Sequence, residues 1–91
     1  MTMTIDAQVE QRRQERRAAA KARATHAITR AHRGTEDDNG RGIQHGFTVT
    51  TLDGTPTDFV PVHQRVAYTE EVAALRAHGY DPLGFGYVQR P

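Results

Sequence analysis

The side chains able to do chemistry are few, and they are unevenly placed along the chain. Serine and cysteine are both absent, so the commonest nucleophiles are missing, and no threonine adjoins a base in an ordered context. The histidines are His26, His32, His45, His63 and His78. None of them forms H-x-x-x-H, H-E-x-x-H or another metal-ligand spacing. His45 and His63 approach one another across a predicted hairpin. Even with Asp58 or Asp81 they make a two-histidine site, short of the three or four ligands typical of zinc. No metal and no other cofactor is expected. Carboxylates cluster only at Glu36-Asp37-Asp38 and at Glu70-Glu71. The first cluster lacks the alternating spacing and closing glutamate of a calcium loop. Gly40-Arg41-Gly42 and Gly84-Phe85-Gly86 do not follow a strand and open a helix, as a phosphate-binding loop would. A non-enzymatic protein is the expectation.

What the chain does concentrate is positive charge. From Arg12 to Arg33 eight cations stand against Glu15 alone, a net +7. The first eleven residues carry −2 and residues 34–91 carry −4, so the total of +1 conceals a polarised molecule. Such an excess goes beyond ordinary i,i+4 charge balancing. It predicts contact with an anionic partner through Arg12, Arg13, Arg16, Arg17, Lys21, Arg23 and Arg30. That partner is expected to be nucleic acid, through its phosphates, or an acidic protein surface. Sequence-specific DNA reading is not expected, because there is no helix-turn-helix spacing and no aromatic residue in the basic segment.

These cations need an element to carry them. No helix breaker occurs between Met3 and Arg33, and Ala, Arg, Gln, Glu and Lys dominate the stretch. The composition predicts one long helix from about Thr4 to His32, capped by Thr4 or Asp6 and stopped by Gly34. Along its second half Ala20, Ala24, Ala27 and Ala31, with Ile28 beside them, make a small-residue seam fit for close packing. Residues 1–33 therefore read as a basic helical arm, and 34–42 as an acidic, glycine-rich linker.

The rest reads as a small module with a tail. Residues 43–79 predict a β-hairpin followed by a short helix. Phe47, Val49 and Thr51 alternate on one strand, and Val60 and Val62 on the other. A two-residue Asp-Gly turn would put Asp58 opposite Val49 and Pro56 inside the ladder. A four-residue loop, Asp53 to Pro56, is preferred because it pairs Leu52 with Thr57, Val49 with Val60 and Phe47 with Val62. It also sets Gly46 opposite His63. Pro61 marks an edge strand. Thr69 to His78 predicts the helix, with Thr69 as N-cap and Gly79 at its end. Residues 80–91 have no helical period and read as an extended aromatic tail. Tyr80, Leu83, Phe85 and Tyr87 would anchor it on its own domain or in a neighbour's groove.

The fold class expected is thus α+β: long N-terminal basic α-helix, β-hairpin, short α-helix and extended C-terminal tail. A chain of 91 residues without cysteine buries little core and is expected to lean on partners. Eleven arginines to one lysine, with abundant alanine, suggest a high-GC genome such as that of an actinobacterium or its phage. No apolar run approaches the ~20 residues that span a bilayer, and the start lacks the order of a signal peptide. A membrane partner is not expected, and the expected location is the cytoplasm or a virion. The function expected is that of a structural component of a larger assembly, a virion or nucleoprotein. The alternatives are an accessory subunit of a multisubunit enzyme, and a small DNA-binding regulator that self-associates through the alanine seam.

Overall fold

The computed structural model describes residues 4–34 and 42–91. The acidic cluster Glu36, Asp37 and Asp38 lies outside the described residues, as does Arg41. The described chain is α+β. One helix, α1 (Ile5–Arg23), precedes a five-stranded antiparallel sheet made of β1 (His26–Arg33), β2 (Gln44–Thr51), β3 (Pro56–Pro61), β4 (Asp81–Gly84) and β5 (Tyr87–Gln89). A second helix, α2 (Tyr68–Ala77), separates β3 from β4, and the spatial order of the strands is β3-β2-β1-β5-β4.

The basic helix is shorter than its composition predicts. It starts as expected: the Thr4 hydroxyl accepts a hydrogen bond from the Ala7 N–H at 3.1 Å, with Asp6 in the first turn. It ends at Ala24, whose backbone is already extended. Residues 26–33 then form β1, the central strand, paired along its whole length with β2. Thr25, Ile28 and Thr29 are β-branched and fit a pleated surface better than a helix. Pairing with β2 sets Ile28 opposite Val49. That long-range match outweighs the helix preference of the flanking Ala and Arg residues, which is worth at most about 0.7 kcal/mol per residue. Ala27, Ile28 and Ala31 therefore belong to a strand, Ala24 is the helix cap, and the alanine seam does not exist as a helical surface. Only Ala20 of the helix is buried.

The β2–β3 hairpin forms, in a register two residues from the expected one. Its loop is Leu52-Asp53-Gly54: the Thr51 N–H donates to Thr55 O at 2.8 Å, and the Gly54 N–H to Thr51 O at 3.0 Å. Gly54 takes φ +97°, the left-handed residue that a three-residue loop requires. A bulge follows, after which Val49 faces Asp58, Phe47 faces Val60 and Gly46 faces Pro61 rather than His63. A slip of two residues keeps every side chain on its face. The apolar pattern is therefore satisfied by both registers, and something else must choose. The Tyr80 hydroxyl donates to Asp58 Oδ2 at 3.0 Å, giving that carboxylate a partner in the observed register. Pro61 lies on an edge strand, where its missing N–H costs nothing.

Helix α2 begins two residues earlier than a Thr69 cap predicts, with Ala67 at the N-cap and no side-chain cap. Its end is a Schellman motif. Gly79, at φ +90°, donates to Arg76 O and Tyr80 to Leu75 O. The motif reverses the chain and delivers Tyr80 into the core. From there the chain is not an extended tail but a second hairpin, β4–β5, closed by Phe85-Gly86 and attached to β1 by pairs of Val88 with His26 and Tyr87 with Ala27.

The core lies on one face of the sheet, beneath α2. Phe47, Val49, Val60, Leu75, Tyr80 and Val88 are buried, with Ile28, Val62 and Ala74 packed against them. At roughly 1.5–3 kcal/mol per buried large apolar side chain, this cluster is the main source of stability. Helix α2 bridges the two edge strands, touching β3 and β4, whereas α1 touches β4 and β5. Arg23 reaches the Gln89 side chain at 3.5 Å. Gln89 is adjacent in β5 to buried Val88 and so points to the opposite face. The end of α1 is thus held on the side of the sheet away from α2.

Candidate functional site

Every residue of α1 except Ala20 is exposed. The helix carries six cations, Arg12, Arg13, Arg16, Arg17, Lys21 and Arg23, against Asp6, Glu10 and Glu15, a net +3. At about 100° per residue, all six cations fall on one half of the cylinder. Two of the helix's acids are engaged by glutamines rather than arginines: Gln11 donates to Glu15 at 3.4 Å and Gln14 to Glu10 at 3.5 Å. Among the described residues the ion pairs are Arg30–Glu71 at 2.5 Å and Arg76–Asp81 at 3.3 Å. Neither involves α1. Arg12, Arg13, Arg16, Arg17 and Lys21 are therefore a cationic surface with no charged partner among those residues.

Comparison with known proteins finds no matching family model, no matching curated protein and no matching solved structure.

Arg30, expected to act with the helix, is set apart from it. It stands in β1, pairs with half-buried Glu71 of α2 and lies over the Phe47 ring at 5.1 Å from its centre. Its role is to tie α2 to the sheet. Arg33 stands on the other face of β1. It donates to Gln44 at 2.8 Å and covers the Phe59 ring at 4.4 Å.

Four of the five histidines fall into two places, and His78 stands at the C-cap of α2. His26 meets Tyr80 edge-on, with ring centres 5.7 Å apart. His32 and His45 are direct cross-strand partners with ring centres 6.0 Å apart, and with His63 they line a shallow 270 Å³ depression. Among the described residues no group of three or more His, Asp or Glu is arranged to hold a metal ion. No described helix is long and apolar enough to cross a membrane.

Two carboxylates carry lowered pKa values for local reasons. Asp53 accepts from the Thr51 hydroxyl first, then from the Thr55 N–H and hydroxyl, which holds its carboxyl below the ordinary range. Asp58 is lowered chiefly by the Phe59 N–H at 2.7 Å; burial opposes this, and the Tyr80 hydroxyl assists it. Burial first, and the Asp58 contact second, push the Tyr80 hydroxyl up. Both networks lock hairpin geometry.

The expected tail anchors divide. Tyr80 is buried in the chain's own core, Leu83 and Tyr87 are half-buried in β4–β5, and Phe85 is exposed at the turn. One surface is not foreshadowed by the sequence reading. Between α2 and the β4–β5 turn lies an apolar groove of 260 Å³, floored by Ile28, Phe47 and Leu75 and flanked by Tyr68 and Phe85. Tyr68 is 69% and Phe85 47% exposed. The clue in the sequence is Gly84-Phe85-Gly86: glycines on both sides of an aromatic mark a tight turn that presents it.

Proposed function

We propose that this chain is a small non-enzymatic assembly protein, a structural component of a nucleoprotein or virion, whose helix α1 binds a phosphate-bearing polyanion. The observation that carries this reading is the half-cylinder of cations on an exposed helix, five of them without a charged partner among the described residues. Arginine suits the task because its planar fork pairs with phosphate oxygens in a bidentate manner. Strands β4 and β5 hold the arm at its C-terminal end and leave the cationic stretch free to lie along a backbone. Such a contact reads charge and not sequence.

The test is titration of the full chain into labelled duplex nucleic acid over a salt series. Contact by five cations predicts log K falling with log salt at a slope of about −4 to −5. The variant Arg12→Ala/Arg13→Ala/Arg16→Ala/Arg17→Ala should lose most of the affinity while keeping the melting transition of the sheet. Tight, salt-insensitive binding that survives in that variant would overturn the reading. An accessory role in a multisubunit enzyme is the alternative. It predicts co-purification with a larger subunit at fixed stoichiometry, unaffected by nuclease. The regulator alternative loses the helical alanine seam on which it rested, since Ala27, Ile28 and Ala31 stand in β1.

A further inference from the structure

Two apolar side chains at the far end of α1 have no use within the chain. Ile5 is 78% and Val9 60% exposed. They lie four residues apart and so share a face of the helix. Continued at the same helical phase, that face carries Arg12 and Arg16 and no carboxylate, over roughly 16 Å of helix. Arg13, Arg17 and Lys21 lie on a neighbouring sector and stay free for phosphate when this face is buried. An associated copy should therefore show a salt slope of about −3 rather than that of five cations. Within its own chain α1 touches only β4 and β5, near Ala20. Its tip does not reach the groove beside α2.

The groove has the complementary chemistry. Its floor is apolar, and its flanks are two exposed aromatic rings. The charges around it are already neutralised in pairs, Arg30 with Glu71 and Arg76 with Asp81. Exposed Glu70, in the first turn of α2, is left over. Glu70, two residues from Tyr68, is thus an acid with no ion-pair partner among the described residues, available to an arginine of the helix face. The turn that presents Phe85 is also unusual. Gly84, Phe85 and Gly86 have φ of +89°, +57° and +79°. Positive φ at both Phe85 and Gly86 is what a two-residue hairpin turn demands, and its first position holds a 47% exposed aromatic where Asn, Asp or Gly is usual.

We infer that the groove between α2 and the β4–β5 turn receives the tip of α1 from a second copy of this chain. Ile5 and Val9 enter between Tyr68 and Phe85, Arg12 lies against the Tyr68 ring, and Arg16 approaches Glu70. This is helix-in-groove recognition, read by anchors at i and i+4. Donor and acceptor surfaces are different patches of one molecule. The contact therefore closes as a reciprocal exchange of arms in a dimer, or propagates as a chain of copies.

Sedimentation velocity of the full chain over a dilution series tests this. The wild type should self-associate as concentration rises. Ile5→Asp/Val9→Asp on the donor side and Phe85→Asn on the acceptor side should each weaken association by at least about tenfold. Asparagine tolerates the left-handed turn, so Phe85→Asn should melt no lower than the wild type, and its effect reports the contact. Mixing the two variants should restore a heterodimer, because one copy supplies an intact groove and the other an intact arm. A wild type that stays monomeric throughout, variants that associate as tightly as the wild type, or a mixture that restores nothing would each overturn the inference. It does not rest on the polyanion reading. Phe85→Asn leaves the charge of α1 unchanged, so salt-sensitive nucleic-acid binding measured on it separates the two failures.

Discussion

Tyr80 is where the two halves of the domain are joined by one side chain. The Schellman turn after α2 aims it inward, its ring packs among Val49, Val60 and Val88, and its hydroxyl reaches the carboxylate of Asp58 on an edge strand. Tyr80→Phe keeps the ring and deletes the hydrogen bond. Because Asp58 stays exposed and hydrated, the loss should be about 0.5–1.5 kcal/mol, read as a lower denaturant midpoint with an unchanged slope. The pH dependence has a definite sign at each end. Asp58 is lowered from its ordinary 3.8 in the folded state. Its contribution is present above that value and fades as pH falls through the lower folded pKa. Tyr80 is raised from 10.0, so its contribution is present below 10.0 and fades as pH rises through the higher folded pKa. Tyr80→Phe should abolish the alkaline loss and shrink, not remove, the acid loss, since the Phe59 N–H still holds Asp58. A variant whose alkaline profile matches the wild type would show that the hydroxyl carries no linkage. None of this was legible in the sequence. Tyr80 reads there as the start of a tail, because the contact that defines it spans 22 residues and depends on a register the apolar pattern leaves open.

At the scale of elements, what was legible was what local chemistry decides. The Thr4 cap, the edge position enforced by Pro61 and the Gly79 stop of α2 follow from side-chain hydrogen bonding, a missing donor and a left-handed backbone. The boundary between α1 and β1 does not. Ala27, Arg30 and Ala31 favour a helix on their own, and only pairing with β2 makes residues 26–33 a strand. The same holds for β4 and β5, too short to be stable before they join the sheet. The candidate site divides likewise: the α1 cations stood out in the sequence, whereas the groove is assembled from β1, β2, α2 and the β4–β5 turn. This division gives a prediction. Thr4→Ala should cost the free end of α1 about 1 kcal/mol of local helix stability, seen as reduced helical signal or faster amide exchange. The global melting midpoint should not move, because residues 5–19 contribute no buried side chain. Ile28→Asp should do the reverse, losing about 2–4 kcal/mol by removing a packed side chain and placing a charge against the core. If residue 28 were on an exposed arm, the same substitution would leave the melting midpoint in place.

The molecule as a whole is a body with an arm, and its dimensions say so. Its extents are 62 × 27 × 24 Å and its Cα radius of gyration is 16.3 Å, whereas a compact chain of this length would have a radius near 12 Å. The excess comes from α1, which carries its cations away from the body. Small-angle scattering follows the consequence directly. At high dilution the chain should scatter as an elongated particle of about the observed radius, and truncation of the residues before Ala18 should bring it close to the compact value. With rising concentration, the wild type should grow in both mass and radius as arms enter neighbouring grooves. Ile5→Asp/Val9→Asp should hold the dilute radius at every concentration, because the arm still projects and has nothing apolar to insert. A dilute radius near the compact value would mean that the arm lies on its own body and is unavailable to phosphates or to a second copy. Growth of the double variant alongside the wild type would place the self-association elsewhere on the sheet.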